Sequence, residues 1–154
     1  MLRLSKLTDY AVVVLTRLAR DGTAPSGSVQ TALSLAGETG IAEPTVAKVM
    51  KILAHAGLVE GVRGPRGGYR LTRPLATMPL SDVIVAIDGP IALTACVDGG
   101  SGMCEAEGIC PVRGRWDPVN DAIRRALSGI TLADLAPPPR RRTAPPAAIH
   151  ALAE

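Results

Sequence analysis

The stretch from Thr31 to Thr72 constrains the fold more than any other part of the chain. A short helix is predicted to start near Thr31 and to run through Leu33, Leu35 and Ala36, and Thr39-Gly40 then turns the chain. Glu43-Pro44 opens a third helix, because a proline in the first turn gives up an N–H that has no helical partner there. Val46, Val49, Met50 and Leu53 form its apolar stripe, and Ala56-Gly57 closes it. Helix, glycine-containing turn, helix is the helix-turn-helix pattern. Leu58 to Val62 then reads as a strand, Arg63-Gly64-Pro65-Arg66-Gly67-Gly68 as a turn, and Tyr69 to Thr72 as the returning strand. The result is a β-hairpin wing with a basic, glycine-rich tip.

This combination points to double-stranded DNA. A recognition helix presents its N-terminal turns to base edges in the major groove, here Glu43, Thr45 and Lys48. Glu43 can accept from a cytosine amino group, and Thr45 can donate to a phosphate or meet a thymine methyl. Lys48 and Lys51 suit phosphates. In the wing, Arg63 and Arg66 suit the narrow, negative minor groove, and the glycines allow close backbone approach. Charge is distributed to match. Residues 1–73 hold ten Lys/Arg against five Asp/Glu, whereas residues 74–112 hold five acids and no Lys or Arg.

Outside this unit, Thr8-Asp9 reads as a helix start, with Thr8 as N-cap, followed by Ala11, Val12, Leu15, Leu18 and Ala19 at helical spacing, and Asp21-Gly22 as its end. Pro74 and Pro79 mark a boundary, and Leu80 to Ile87 reads as a short helix stopped by Asp88-Gly89-Pro90. A longer helix is expected from about Pro111 to Leu127, with Pro118 as a kink or a later start near Asp117 and Ser128-Gly129 as its stop. Ile130 to Leu135 adds one short turn. The expected fold is mainly α with a small β-hairpin. Residues 1–74 form a winged helix-turn-helix domain, 75–135 a cysteine loop and long C-terminal helix, and 136–154 a disordered Pro/Arg-rich tail. Only Tyr10, Tyr69 and Trp116 are aromatic, so the core must be aliphatic. No run of about 18 apolar residues crosses a membrane. The N-terminus runs straight into an amphipathic segment, so a cytoplasmic location with reduced thiols is expected.

The cysteines are confined to one loop, Cys96-x7-Cys104-x5-Cys110, which is rich in glycine. Three thiols cannot all pair within one chain. Thiolates are the usual ligands of iron–sulfur clusters, which normally want four. Tetrahedral zinc would need a further Cys or His, and neither His55 nor His150 lies near in sequence. The spacing itself excludes neither zinc nor a redox-active disulfide, but the lack of a further Cys or His nearby favours an iron–sulfur cluster with an unusual fourth ligand over structural zinc. A thiol sensor that works by disulfide formation remains open. No nucleophile–base pair accompanies the loop, so no enzyme activity is expected.

With these pieces, the chain resembles the IscR/NsrR family of bacterial winged-helix regulators over about residues 1–135. The resemblance rests on Leu4-Ser5-Lys6-Leu7-Thr8-Asp9-Tyr10-Ala11, on Gly57 to Tyr69, on the cysteine loop, and on Ile130 to Leu135. Ser-Lys-Leu-Thr-Asp-Tyr-Ala and Pro44 to Val49 look most like regulators of the SUF iron–sulfur assembly operon. The resemblance implies a homodimer built on the long C-terminal helices and a repressor of cluster-assembly genes. It also implies a [2Fe-2S] or [4Fe-4S] cluster on Cys96, Cys104 and Cys110, and base reading by Glu43. Where the IscR branch has a histidine ligand three residues after the third cysteine, this chain has Arg113, which cannot ligate. The NsrR branch uses an N-terminal aspartate of the partner subunit, and Asp9 falls at the matching position.

Overall fold

The computed structural model describes residues 3–19, 28–100, 102, 104–106 and 108–137. Its elements run α1 (Lys6–Leu18), α2 (Ala32–Thr39), α3 (Glu43–His55), β1 (Val59–Val62), β2 (Gly68–Leu71), α4 (Leu80–Asp88), α5 (Asp117–Gly129) and α6 (Leu132–Leu135), with a 3₁₀ turn at Leu75–Thr77. The expected end of the first helix at Asp21-Gly22, His150 and most of the Pro/Arg-rich tail lie outside the described residues.

The helix-turn-helix forms as its punctuation requires. The Thr31 hydroxyl accepts from the Ser34 N–H at 3.0 Å and caps α2. Gly40 ends α2 with φ of 73°, where a side chain would be strained. Glu43 and Pro44 open α3, and Val46, Val49, Met50 and Leu53 are all buried. Gly57 takes φ of 72°, so the Leu58 N–H reaches back to the Leu53 carbonyl at 2.9 Å and swings the chain directly into β1. The hairpin pairs Val59 with Leu71 and Val62 with Gly68 in antiparallel register. Gln30 bridges to Tyr69 on the outer edge of β2 and ties the wing to the segment before α2.

Two sequence expectations shift. The N-cap of α1 is Ser5, whose side chain accepts from the Thr8 N–H, while Thr8 lies inside the helix and is fully buried. The last long helix takes the later of its two expected starts, Asp117 rather than Pro111. Gly114 has φ of 70°, which ends any helical path from Pro111, and Pro118 then fits the first turn of α5. Trp116 precedes that helix and is 42% exposed.

One aliphatic core joins the head to α4 and the C-terminal segment. Ala11, Val14, Leu15 and Leu18 of α1 pack with the α3 stripe, Leu58, Val59 and Leu71 of the hairpin, Val83 and Ile84 of α4, and Leu132. The C-terminal segment is anchored by backbone pairing: Leu80 N–H to the Ile130 carbonyl at 2.8 Å and Leu132 N–H to the Met78 carbonyl at 2.9 Å. A Thr131–Asp134 capping box starts α6. No helix among the described residues is long and apolar enough to cross a membrane.

Candidate nucleic-acid interface and cysteine loop

Glu43 sits in the first turn of α3 and is exposed, with Thr45 half-buried behind it. Lys48 and Lys51 follow on the exposed face of the same helix. Arg63 and Arg66 are exposed in the wing tip. None of these four cations forms an ion pair among the described residues. By contrast, Arg70 pairs with Glu60, and Arg73 with Asp82. The four cations expected to face DNA are thus left without a carboxylate among the described residues, as are Arg3, Lys6, Arg115 and Arg125 elsewhere.

The wing glycines also have a reason internal to the fold. A Cβ on Gly67 would lie 2.5 Å from the Val62 carbonyl oxygen, and one on Gly68 would lie 2.4 Å from that of Gln30. Closing the tip and docking β2 against Gln30 both require the bare backbone. Only Gly64, with φ of 114°, is held by conformation alone.

The cysteine loop leaves α4 at Gly89 and returns to helix at Asp117. All three cysteines are free and half-buried. The turn around Cys96 is tightly closed: Gly100 N–H reaches the Val97 carbonyl at 2.8 Å, and Gly102 N–H the Ala95 carbonyl at 2.9 Å. Cys96 Sγ lies 3.4 Å from the Thr94 hydroxyl. A Cβ on Gly100 would meet the Thr94 and Ala95 carbonyl oxygens at 2.6 Å. Gly100→Ala is therefore expected to spring this turn at a local cost of about 1–3 kcal/mol. Native-state alkylation of Cys96 should speed up several-fold. Gly108→Ala, with open space around its Cβ, serves as the control and should leave the rate unchanged.

Two side chains without any local sequence signature of a site fasten the root of the loop. Asn120 of α5 is 1% exposed. Its Oδ1 accepts from the Leu93 N–H at 3.0 Å, and its Nδ2 donates to the Ile91 carbonyl at 3.2 Å. Asp88, the last residue of α4, accepts through Oδ2 from the Thr8 hydroxyl at 2.7 Å and from the Ser5 N–H at 3.3 Å. Burial pushes the Asp88 carboxyl up, but hydrogen bonds from Ser5 and Thr8 outweigh it and hold it below the ordinary carboxylate range. A salt bridge of 3.2 Å from Arg124 to Asp98 adds an exposed tie between α5 and the loop.

The candidate ligands do not meet within one chain. Among the described residues, no three His, Cys, Asp or Glu side chains come together as a metal-holding group. Asp9 is exposed in the first turn of α1, and His55 is exposed at the end of α3. The Arg113 N–H bonds the Cys110 carbonyl at 3.3 Å.

The family model for Rrf2, an iron-dependent transcriptional regulator, matches residues 4–138. The chain belongs to the Rrf2 family. It is 31% identical over 134 residues to the HTH-type transcriptional regulator IscR of Escherichia coli, covering 87% of this chain and 80% of that one. Among solved structures, it is similar to CymR, the global cysteine regulator of B. subtilis, with 28% identity, a TM-score of 0.66 and coverage of 88% of this chain and 97% of that one. It is also similar to T. potens IscR, with 29% identity, a TM-score of 0.59 and coverage of 87% and 85%. The winged-helix architecture expected from the sequence is that of these Rrf2 proteins. Rrf2 members are DNA-binding transcriptional regulators and not enzymes, and this chain is one of them. Its likeness to IscR and CymR proteins is of similar extent, and what it shows is membership of the Rrf2 family.

Proposed function

We propose that this Rrf2 protein is a homodimeric, cytoplasmic repressor of iron–sulfur assembly genes. Its head, residues 1–74, would read operator DNA, and its loop segment, residues 75–135, would report cluster status, with residues 136–154 as a solvated tail. The observation that carries this reading is the cysteine loop. Three free, half-buried thiols stand in one loop, whose turn around Cys96 is closed through Gly100 and Gly102 and whose root is fastened to α1 and α5. As a donor set, three soft thiolates fit an iron–sulfur cluster in kind. Cys96, Cys104 and Cys110 would hold it, and a bound cluster supplies a centre sensitive to iron, oxygen or nitric oxide. The single chain does not gather a full ligand set. A fourth ligand from a second copy, Asp9, is consistent with that shortage. Dimerisation is supported by apolar surface left open at the C-terminal helix, where Val119 is 45% and Trp116 42% exposed.

On the DNA, Glu43 and Thr45 would face base edges, Lys48 and Lys51 phosphates, and Arg63 and Arg66 the minor groove. All but Thr45 are exposed, and the cations among them lack carboxylate partners among the described residues. A second reading, a thiol switch without a cluster, draws on the same lack of a gathered ligand set and on the likeness to CymR.

Anaerobic purification separates the two. Brown protein containing iron and sulfide, bleached by Cys104→Ser, is the expected result. Asp9→Ala should then alter the cluster's absorption and shorten its lifetime, and an unchanged spectrum removes Asp9 from the ligand set. Colourless protein whose DNA affinity responds to a thiol oxidant would replace the cluster with the thiol switch, and stoichiometric zinc would replace both.

A further inference from the structure

We propose that Asp88 is the positioning residue through which the cysteine loop acts on the DNA-binding head. This rests on the proposed function, in which the state of the loop governs DNA affinity. Asp88 is the last residue of α4, and Gly89, with φ of 88°, turns the chain out of the helix and into the loop. Displacement of the loop root is therefore passed along the chain directly to Asp88. What it holds is the first turn of α1. A single carboxylate oxygen, Oδ2, accepts from both the Thr8 hydroxyl and the Ser5 N–H. The two donors are themselves linked: the Ser5 hydroxyl caps the Thr8 N–H at 3.1 Å and lies 3.2 Å from the Thr8 hydroxyl.

Local electrostatics argue that the carboxylate is placed there for these donors. An acid at the C-terminal end of a helix faces the negative end of the dipole, where a cation or a neutral group is favoured. Thr8 is fully buried, so its hydroxyl has no water to fall back on if Asp88 moves. The helix that is held belongs to the head, because α1 packs against α2 and α3. On its far side, the loop root is fixed by Asn120 at Ile91 and Leu93. The stretch from Asp88 to Leu93 thus spans two fixed points, one on the head and one on α5. Asp9, the candidate fourth ligand, is the residue next to Thr8.

The test is a coupling cycle on the full chain, purified anaerobically. The probe is a duplex enriched from a random library by the unsubstituted protein. Affinity is compared between the intact loop and Cys96→Ser/Cys104→Ser/Cys110→Ser, first in the otherwise unsubstituted chain and then with Asp88→Ala. The unsubstituted background should show a ratio of about tenfold or more, and Asp88→Ala should bring it to about one. Thr8→Val, which removes the donor and leaves the carboxylate, should collapse the ratio equally. Thr8→Ser, which keeps a hydroxyl, should retain it. A merely structural role would lower melting temperature and affinity in both loop states and leave the ratio intact. A ratio that survives both Asp88→Ala and Thr8→Val overturns the inference. A ratio near one in the unsubstituted chain overturns the sensing function itself, and this inference with it.

Discussion

Replacing Arg63 and Arg66 together with Ala is expected to weaken operator binding by roughly 30- to 1,000-fold at physiological salt, about 1–2 kcal/mol for each side chain. Both side chains are exposed at the tip of the two-stranded hairpin, and neither belongs to the core cluster. The melting temperature should therefore move little, as for most exposed substitutions. Neither arginine has a carboxylate partner among the described residues. Arg70 of β2 and Arg73 just after the hairpin are engaged by Glu60 and Asp82, so part of their charge is already answered within the fold. Fluorescence anisotropy against KCl concentration gives a second readout. If both arginines displace counterions, the slope of log affinity on log salt should become shallower by about two. An unchanged slope with weakened binding would assign them to base or shape contacts instead. Unchanged affinity would turn the wing away from DNA altogether.

The wing and the recognition helix were legible in the sequence because every signal they use is local. The α3 stripe at Val46, Val49, Met50 and Leu53 repeats at helical period, and Gly40 and Gly57 fall where left-handed backbone is needed. The cap of α1 was not legible in the same way. Ser5 and Thr8 are both competent N-caps by residue type. Asp88, eighty positions away, decides between them by claiming the Thr8 hydroxyl. The start of α5 was left between two positions because Pro111 and Asp117 both suit a helix opening, and the left-handed Gly114 that decides for Asp117 shows only in the backbone.

The cysteine loop was legible as chemistry but not as a structure. Its clustered thiols stand out in the chain, whereas its supports, Asp88 and Asn120, resemble ordinary polar helix residues. A trace of Asn120 was nevertheless present. Trp116, Asn120, Ile123 and Leu127 are spaced four, three and four apart, which puts an amide on the apolar face of α5. A polar residue on such a face must find partners, and Asn120 finds them in the backbone of the loop. Asp88 carried a comparable mark, as an acid in the last turn of a helix immediately before a glycine.

Asn120→Ala is expected to cost about 2–4 kcal/mol, because it strands one N–H and one carbonyl of a part-buried segment. That corresponds to a drop of roughly 5–15 °C in melting temperature for a domain of this size. The amide has one orientation that serves both partners, oxygen toward Leu93 and nitrogen toward Ile91. Asn120→Asp distinguishes this account from simple loss of packing. The shape is kept and the Leu93 N–H still has its acceptor, but only a protonated carboxyl can donate to the Ile91 carbonyl. Burial also favours the protonated form, so the folded-state pKa of the new carboxyl should rise above its unfolded value near about 3.9. The folded state then binds more protons than the unfolded one, so stability falls as pH rises from the unfolded value until the raised folded value is passed. Relative to the unsubstituted chain, Asn120→Asp should be least destabilised below about pH 4 and most destabilised at neutral pH. Urea titrations at several pH values measure this. Destabilisation that does not change with pH would mean that the Ile91 carbonyl gains nothing from residue 120. The loop would then rest on the Leu93 contact, on Asp88 and on the exposed Arg124–Asp98 tie.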